Sequence, residues 1–148
     1  MSGPVLRVGT PGDYPPFSVT RGRGFAGLDV EIAARFARDE GRRLELVAFR
    51  WPGLVADLAA GRFALAMGGV TMRPERALAA RFTRPVVRAG AVVLARPGTP
   101  PLDTPGVRLA VNAGGHLERL ARRLFPGALL VPTADNRRLA AQLVGGAA

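Results

Sequence analysis

The sequence predicts an α/β protein in which parallel strands are joined by crossover helices. Three observations carry that reading. Strand-like and helix-like segments alternate from Val5 to Met67 in the order strand, helix, strand, helix, strand. The third strand runs into a glycine pair and a helix start, the place where open α/β sheets bind their ligands. The alternation pauses at Arg96–Pro105, which holds four prolines and a glycine in ten residues, and then restarts. The chain is therefore expected to hold a first α/β unit over 1–95, a linker or hinge over 96–105, and a smaller α/β unit over 106–148.

Val5–Gly9 is the first expected strand. It leads into Thr10–Ser18, TPGDYPPFS, where two prolines hold Tyr14 and Phe17 in an extended segment. Arg21-Gly22-Arg23-Gly24 reads as the tip of a hairpin. Leu28, Ile32 and Phe36, with Ala33 and Ala37 beside them, recur at helical spacing and predict a helix from Leu28 to Glu40 that Gly41 ends. Asp29 falls in its first turn, where a carboxylate suits the helix dipole. Leu44–Phe49 alternates as a strand. Trp51-Pro52 opens a helix whose apolar stripe is Leu54, Val55 and Leu58.

Ala64–Met67 is the third strand, followed by Gly68, Gly69, Thr71 and a helix that Pro74 opens and Arg76 joins in its first turn. Val86–Ala95, VVRAGAVVLA, is strongly β-forming and predicts a long connecting strand. Beyond the linker, Val107–Val111 and Leu129–Val131 read as strands, His116–Leu124 and Asn136–Val144 as helices.

Composition narrows the functions on offer. There is no cysteine and one histidine, so no thiolate site, cysteine nucleophile or histidine cluster for a metal is available. The net charge of +10 first suggests nucleic acid. Every basic residue, however, is an arginine, these are scattered, and no nucleic-acid module motif occurs, so no nucleic-acid partner is expected. No apolar run approaches the ~18 residues of a membrane span, and the start has no secretory h-region. A Walker A loop is ruled out by the absence of lysine. Ser2 and Ser18 are the only serines, and neither lies in a nucleophile elbow. No cofactor is implied, and no residue stands out as catalytic.

Two anion-friendly points remain. Gly69, Thr71 and Arg76 converge after the third strand, where a glycine lets a ligand approach and the planar guanidinium suits a carboxylate. Gly115 and His116 open the helix after Val107–Val111, whose free N–H groups suit the same chemistry. Tyr14, Phe17 and Trp51 are either core or a ligand-facing wall.

Taken together, LRVGTPGDYPPFS, GFAGLDVEIAARFA, WPGLVADLAAGRFALAMGG, T-x-R-P-E-R and RFTRP resemble the type 3 bacterial solute-binding proteins, which carry polar amino acids to ABC transporters. Within that family MGG and VNAGGHLERLAR are most similar to the periplasmic cyclohexadienyl dehydratases, where the latter reads close to VNPGGTNEKFAR. The resemblance covers nearly all of residues 5–148. It implies a periplasmic-binding-protein-like (type II) two-lobed fold, with the first lobe nearly complete and the second partial. Family members continue well past the point matching Ala148, so the chain reads as C-terminally truncated.

The resemblance also implies roles. Arg76 matches the arginine that clamps the ligand carboxylate, Gly69 and Thr71 the backbone and hydroxyl contacts beside it, and Phe17 and Trp51 aromatic wall positions. Gly115 matches the second-lobe glycine turn and Asp29 a structural acid, while His116 stands where the family has threonine. The implied function is binding of an amino acid or small carboxylate in the periplasm, trapped by lobe closure and delivered to an ABC transporter permease. The enzymatic alternative is dehydration of prephenate or arogenate, a carbon–oxygen lyase reaction. For both, the ammonium-binding acid of the binders and the general acid of the dehydratases lie beyond Ala148.

Overall fold

In the computed structural model, which describes residues 3–146, the first strand runs Val5–Thr10 (β1). Two short strands follow, Asp13–Tyr14 (β2) and Ser18–Arg21 (β3), and the expected hairpin closes with Gly24–Ala26 (β4). Helix α1 spans Leu28–Asp39, strand β5 Arg43–Ala48, helix α2 Leu54–Ala59 after a 3-10 turn at Trp51–Gly53, and strand β6 Leu65–Ala66. Helix α3, Pro74–Ala77, is a single turn and shorter than the sequence suggests.

Strand β1 is the centre of a parallel sheet of order β5-β1-β6, with Val5 opposite Arg43 and Thr10 opposite Ala48 on one side and Val8 opposite Leu65 on the other. Successive strand residues point to opposite faces. On one face Leu6 and Val8 meet Ala33 and Ala37 of α1, surrounded by Leu44, Leu46, Leu65 and Met67. On the other, Phe49, Leu54 and Phe63 pack with Val47, Trp51, Leu58, Ala66 and Val70. Gly9 of β1 faces this second cluster, and a Cβ there would stand 2.7 Å from the Phe63 ring.

The helix packing corrects the sequence reading. Leu28 and Phe36, expected to form the core-facing stripe of α1, are each 45% exposed, and the buried positions are Asp29, Ala33 and Ala37. The alanines let the helix backbone sit close on Leu6 and Val8, whereas a phenylalanine stripe would hold it off the sheet. In α2, Leu54 is buried, but Val55 is turned outward.

The segment Val86–Ala95 is a second correction, since none of it forms a strand. Val92 and Leu94 are 82% and 74% exposed. β-Propensity yields a strand only against a neighbouring backbone and a buried face, and this segment has neither among the described residues. The chain divides into two units between Thr83 and Arg84, ahead of the boundary expected at residue 95.

In the second unit, β7 (Arg108–Asn112) pairs in parallel with β8 (Leu129–Thr133), from Arg108 opposite Leu129 to Asn112 opposite Thr133. Between them lies α4, His116–Leu124, with the bounds expected from sequence. A 3-10 turn at Asn136–Arg138 leads into α5, Leu139–Val144. The Asp135 side chain accepts the Arg137 N–H at 3.0 Å and so caps this last segment.

Candidate functional site

The first unit gathers its candidate residues beyond the carboxyl ends of β1, β5 and β6. Tyr14 follows β1, Trp51 follows β5, and Gly69 follows β6 by three residues. The loop carrying Tyr14 and Phe17 is pinned from beneath. Ser18, fully buried, places its hydroxyl 2.5 Å from that of Thr10 and accepts the Gly12 N–H, and the Thr20 hydroxyl donates to the Gly12 carbonyl. The Tyr14 ring stacks on Phe17 at 5.8 Å and meets Trp51 edge-on at 5.8 Å. Trp51 is oriented by its indole N–H, which donates to Asp13 Oδ1 at 3.2 Å, and by Phe49 set perpendicular to it at 5.4 Å.

Arg76 completes the group. Its guanidinium carbon lies 5.8 Å from the centre of the Trp51 ring, a cation–π placement. Only 8% of the residue is exposed, and Nη1 donates to the Thr71 carbonyl at 3.0 Å. That bond is the only one its guanidinium makes among the described residues. Burial pulls the Arg76 guanidinium below its ordinary value, neighbouring Arg73 adds to this, and Glu75 opposes it. A buried guanidinium short of partners is a strong binder for a planar anion. Thr71 is exposed and holds Arg76 through its backbone, while its hydroxyl forms no hydrogen bond among the described residues.

Gly69 stands against the aromatic pair. Its φ is +77°, and a Cβ there would lie 2.5 Å from Tyr14 and 3.0 Å from Phe17, so no side chain fits. Its N–H donates to Asp29 Oδ2 at 2.9 Å, and the Gly68 N–H donates to the same oxygen at 2.7 Å. The resemblance implies a ligand contact from the Gly69 backbone. With the N–H held by Asp29, the groups Gly69 can offer are its carbonyl and its bare Cα.

Thus Tyr14, Phe17, Trp51, Gly69, Thr71 and Arg76 come together in the first unit. Gly115 and His116 belong to the second, at the start of α4. Gly115 is buried against the Asn112 side chain and His116 is half-buried. Beside them the Gly114 N–H donates to Glu118 Oε2 and Arg122 Nη2 to Glu118 Oε1, both at 2.7 Å. Arg122 first and the Gly114 N–H second hold the Glu118 carboxyl below its usual range, so it is an anion.

Sequence reasoning gave no binding role to two residues of the first group. Asp13 orients Trp51, and Arg73 stands near Arg76 with its Nε 3.4 Å from Glu75 and its Nη1 buried without a partner. The Pro-rich setting of Asp13 was the available signal for the first. No cluster of three or more His, Cys, Asp or Glu side chains that could hold a metal occurs among the described residues. No described helix is long and apolar enough to cross a membrane.

The sequence profile of the bacterial extracellular solute-binding proteins, family 3, matches residues 6–143. Cyclohexadienyl dehydratase of Pseudomonas aeruginosa is 40% identical over 152 residues, covering 97% of this chain and 57% of its own length. The L-cystine-binding protein TcyJ of Escherichia coli (strain K12) is 30% identical over 129 residues, covering 83% of this chain and 48% of its own. The chain therefore spans about half the length of these curated relatives.

Among solved structures, the ancestral amino acid-binding protein AncCDT-1, a precursor of cyclohexadienyl dehydratase, matches with a TM-score of 0.92 at 32% identity. The match covers 97% of this chain and 67% of that one. A second structure of AncCDT-1, described as an ancestral cationic amino acid solute-binding protein, matches with a TM-score of 0.74. The fold is that of type II periplasmic binding proteins, present in part.

Proposed function

We propose that this chain, which belongs to the bacterial extracellular solute-binding proteins of family 3, binds an amino acid by its carboxylate at Arg76. The observation that carries this is the guanidinium itself: buried, laid over Trp51, tied to the Thr71 carbonyl, and otherwise unpartnered among the described residues. Charge-assisted bidentate bonds to a carboxylate supply the partners it lacks. The stacked Tyr14 and Phe17 rings beside Gly69 offer π-faces to the ligand's side chain, suited to a cationic or aromatic group. The description of AncCDT-1 as a cationic amino acid binder supports the first of these. Delivery to an ABC transporter permease in the periplasm is the partner and location we propose from the family.

The test is calorimetric titration of the 148-residue chain with L-arginine, L-phenylalanine and L-cystine. Saturable binding of at least one, with L-arginine foremost, is the expected result. Heats of dilution alone for all three would contradict the proposal.

The 40% identity to cyclohexadienyl dehydratase raises a second reading, in which the chain is an enzyme. Dehydration needs a carboxylic acid that keeps its proton until the hydroxide leaves. Glu118 is held as an anion as described above. Glu75 is likewise held low, first by a backbone N–H and then by Arg73. Neither fits the role of a proton donor. The expected result is no phenylpyruvate from prephenate above its spontaneous breakdown. Turnover that disappears on Glu118→Gln would establish the enzymatic reading instead.

A further inference from the structure

Residues 86–95 form a length of apolar chain whose backbone has no partner among the described residues. Every residue of it is exposed, Val86, Val87, Val92, Val93 and Leu94 included. No backbone hydrogen bond joins its N–H and C=O groups to another described residue. The side chains are those of a strand, with Arg88 as the one charge. Pro85 and Pro97, which cannot donate to a ladder, bound it. An apolar, β-forming segment with unpaired backbone groups is a template for pairing with another chain.

The order of the residues says which chain. Antiparallel pairing about a two-fold axis at Gly90 sets Val86 opposite Leu94, Val87 opposite Val93, Arg88 opposite Val92 and Ala89 opposite Ala91. Large side chains meet large ones and small meet small, apart from Arg88, so the cross-strand pairs support the register. Side chains alternate between faces. Val87, Ala89, Ala91 and Val93 therefore share one wholly apolar face that matches itself under the same axis. Gly90, at the axis, has open space where a Cβ would stand.

We propose that residues 86–95 are a docking strand for a second copy of this chain, paired antiparallel with the same segment about Gly90. Covering the five large side chains of each copy removes at most on the order of 1,000 Å² of apolar surface from water. That is the size of weak, transient interfaces. The net charge of +10 on each copy opposes association, and the register adds a like-charged pair, Arg84 opposite the second copy's Arg96. Salt screens both repulsions, so the dimer tightens as salt rises.

Sedimentation velocity on the 148-residue chain, at concentrations up to about 500 µM, reads the association. The mass should rise from 15.5 kDa towards twice that value and no further. Half-dimerisation is expected on the order of 100 µM, as fits an interface of this size. It should fall severalfold between about 0.05 M and about 0.5 M salt. The chain has no cysteine, so single cysteines report the register. Gly90→Cys should be joined to its counterpart by a short bismaleimide. Val86→Cys should not, because the two copies of that residue lie about 27 Å apart along the pair. A mixture of Val86→Cys and Leu94→Cys should give the mixed product.

A monomer at every concentration overturns the proposal, as does association that continues beyond the dimer. Ala89→Pro with Ala91→Pro keeps all five large side chains and removes two ladder donors. Loss of the dimer in that variant supports backbone pairing, and its persistence means non-specific apolar contact and overturns the proposal. Self-crosslinking of Val86→Cys, the mark of a parallel pair, also overturns it. Slow amide exchange over 86–95 in a monomer would mean that the segment is covered within one chain, again against the proposal. All of these readings are taken without ligand and are independent of Arg76.

Discussion

The two units repeat one construction, strand, helix, parallel strand, and differ in how much they cover. In the first, α1 closes one face of the β5-β1-β6 sheet and the Phe49–Leu54–Phe63 cluster the other. In the second, the β7–β8 pair has Val111 and Ala121 as its buried apolar residues among those described, and Leu124, Leu129 and Val144 are exposed. A two-stranded sheet is marginal by itself, and three strands with covered faces are not. The lesson is that the candidate carboxylate site stands on the better-packed half. Tyr14, Trp51, Gly69 and Arg76 all lie on the connections that leave a doubly covered sheet.

The sharpest way to break this comparison is through the core of the first unit. Phe63 touches both Phe49, at 5.9 Å between ring centres, and the bare Cα of Gly9. Phe63→Ala should cost about 3–5 kcal/mol, read as a lower urea midpoint with an unchanged slope. A cost under about 1 kcal/mol would mean that this cluster contributes little. Next comes amide exchange. Protection in β1 should exceed that in β7 by roughly 100-fold or more, because well-packed strands open only with the whole unit. Equal protection would erase the contrast.

A smaller effect is expected from Gly9→Ala. The added methyl would press the Phe63 ring, and such overpacking costs about 1–3 kcal/mol. The second unit offers the smallest effect. Hydrogen bonds from Arg137 hold Asp135 down from its ordinary 3.8 to about 2. A depressed carboxylate adds stability that is complete above its unfolded value and is lost as pH falls through the folded one. The Asp135 contribution to α5 should therefore be intact at pH 5 and disappear on acidification towards 2. It should be worth about 0.5 kcal/mol or less, as befits an exposed pair. The check is the Asp135 titration followed by NMR, which should move back towards 3.8 in Arg137→Ala.

How far the molecule could be read from its sequence follows from the range of each interaction. β1, α1 and α4 were legible because period-two and period-3.6 patterns are local, and α4 came out with both its ends. The choice of Ala33 and Ala37 over Phe36 as the buried face was not, since it depends on how near α1 lies to Leu6 and Val8. Val86–Ala95 misled because its composition promises a strand without supplying a neighbour.

Within the site, Arg76 stood out by chemistry and by resemblance. Asp29 could be placed only as a structural acid, because the direction of the Gly68 and Gly69 amides is set by a contact across 39 and 40 residues. Asp13 was hidden likewise, meeting Trp51 across 38.

The central claim is that Arg76 receives the ligand's carboxylate, and a cycle of two changes tests it directly. L-Arginine and L-arginine methyl ester, which lacks the carboxylate charge, are titrated into the wild type and Arg76→Ala. In the wild type, esterification should cost about 2–5 kcal/mol, the range for truncating a buried charge pair. In Arg76→Ala the acid and the ester should bind alike. Equal binding of acid and ester by the wild type, or an undiminished preference for the acid in Arg76→Ala, would contradict the claim.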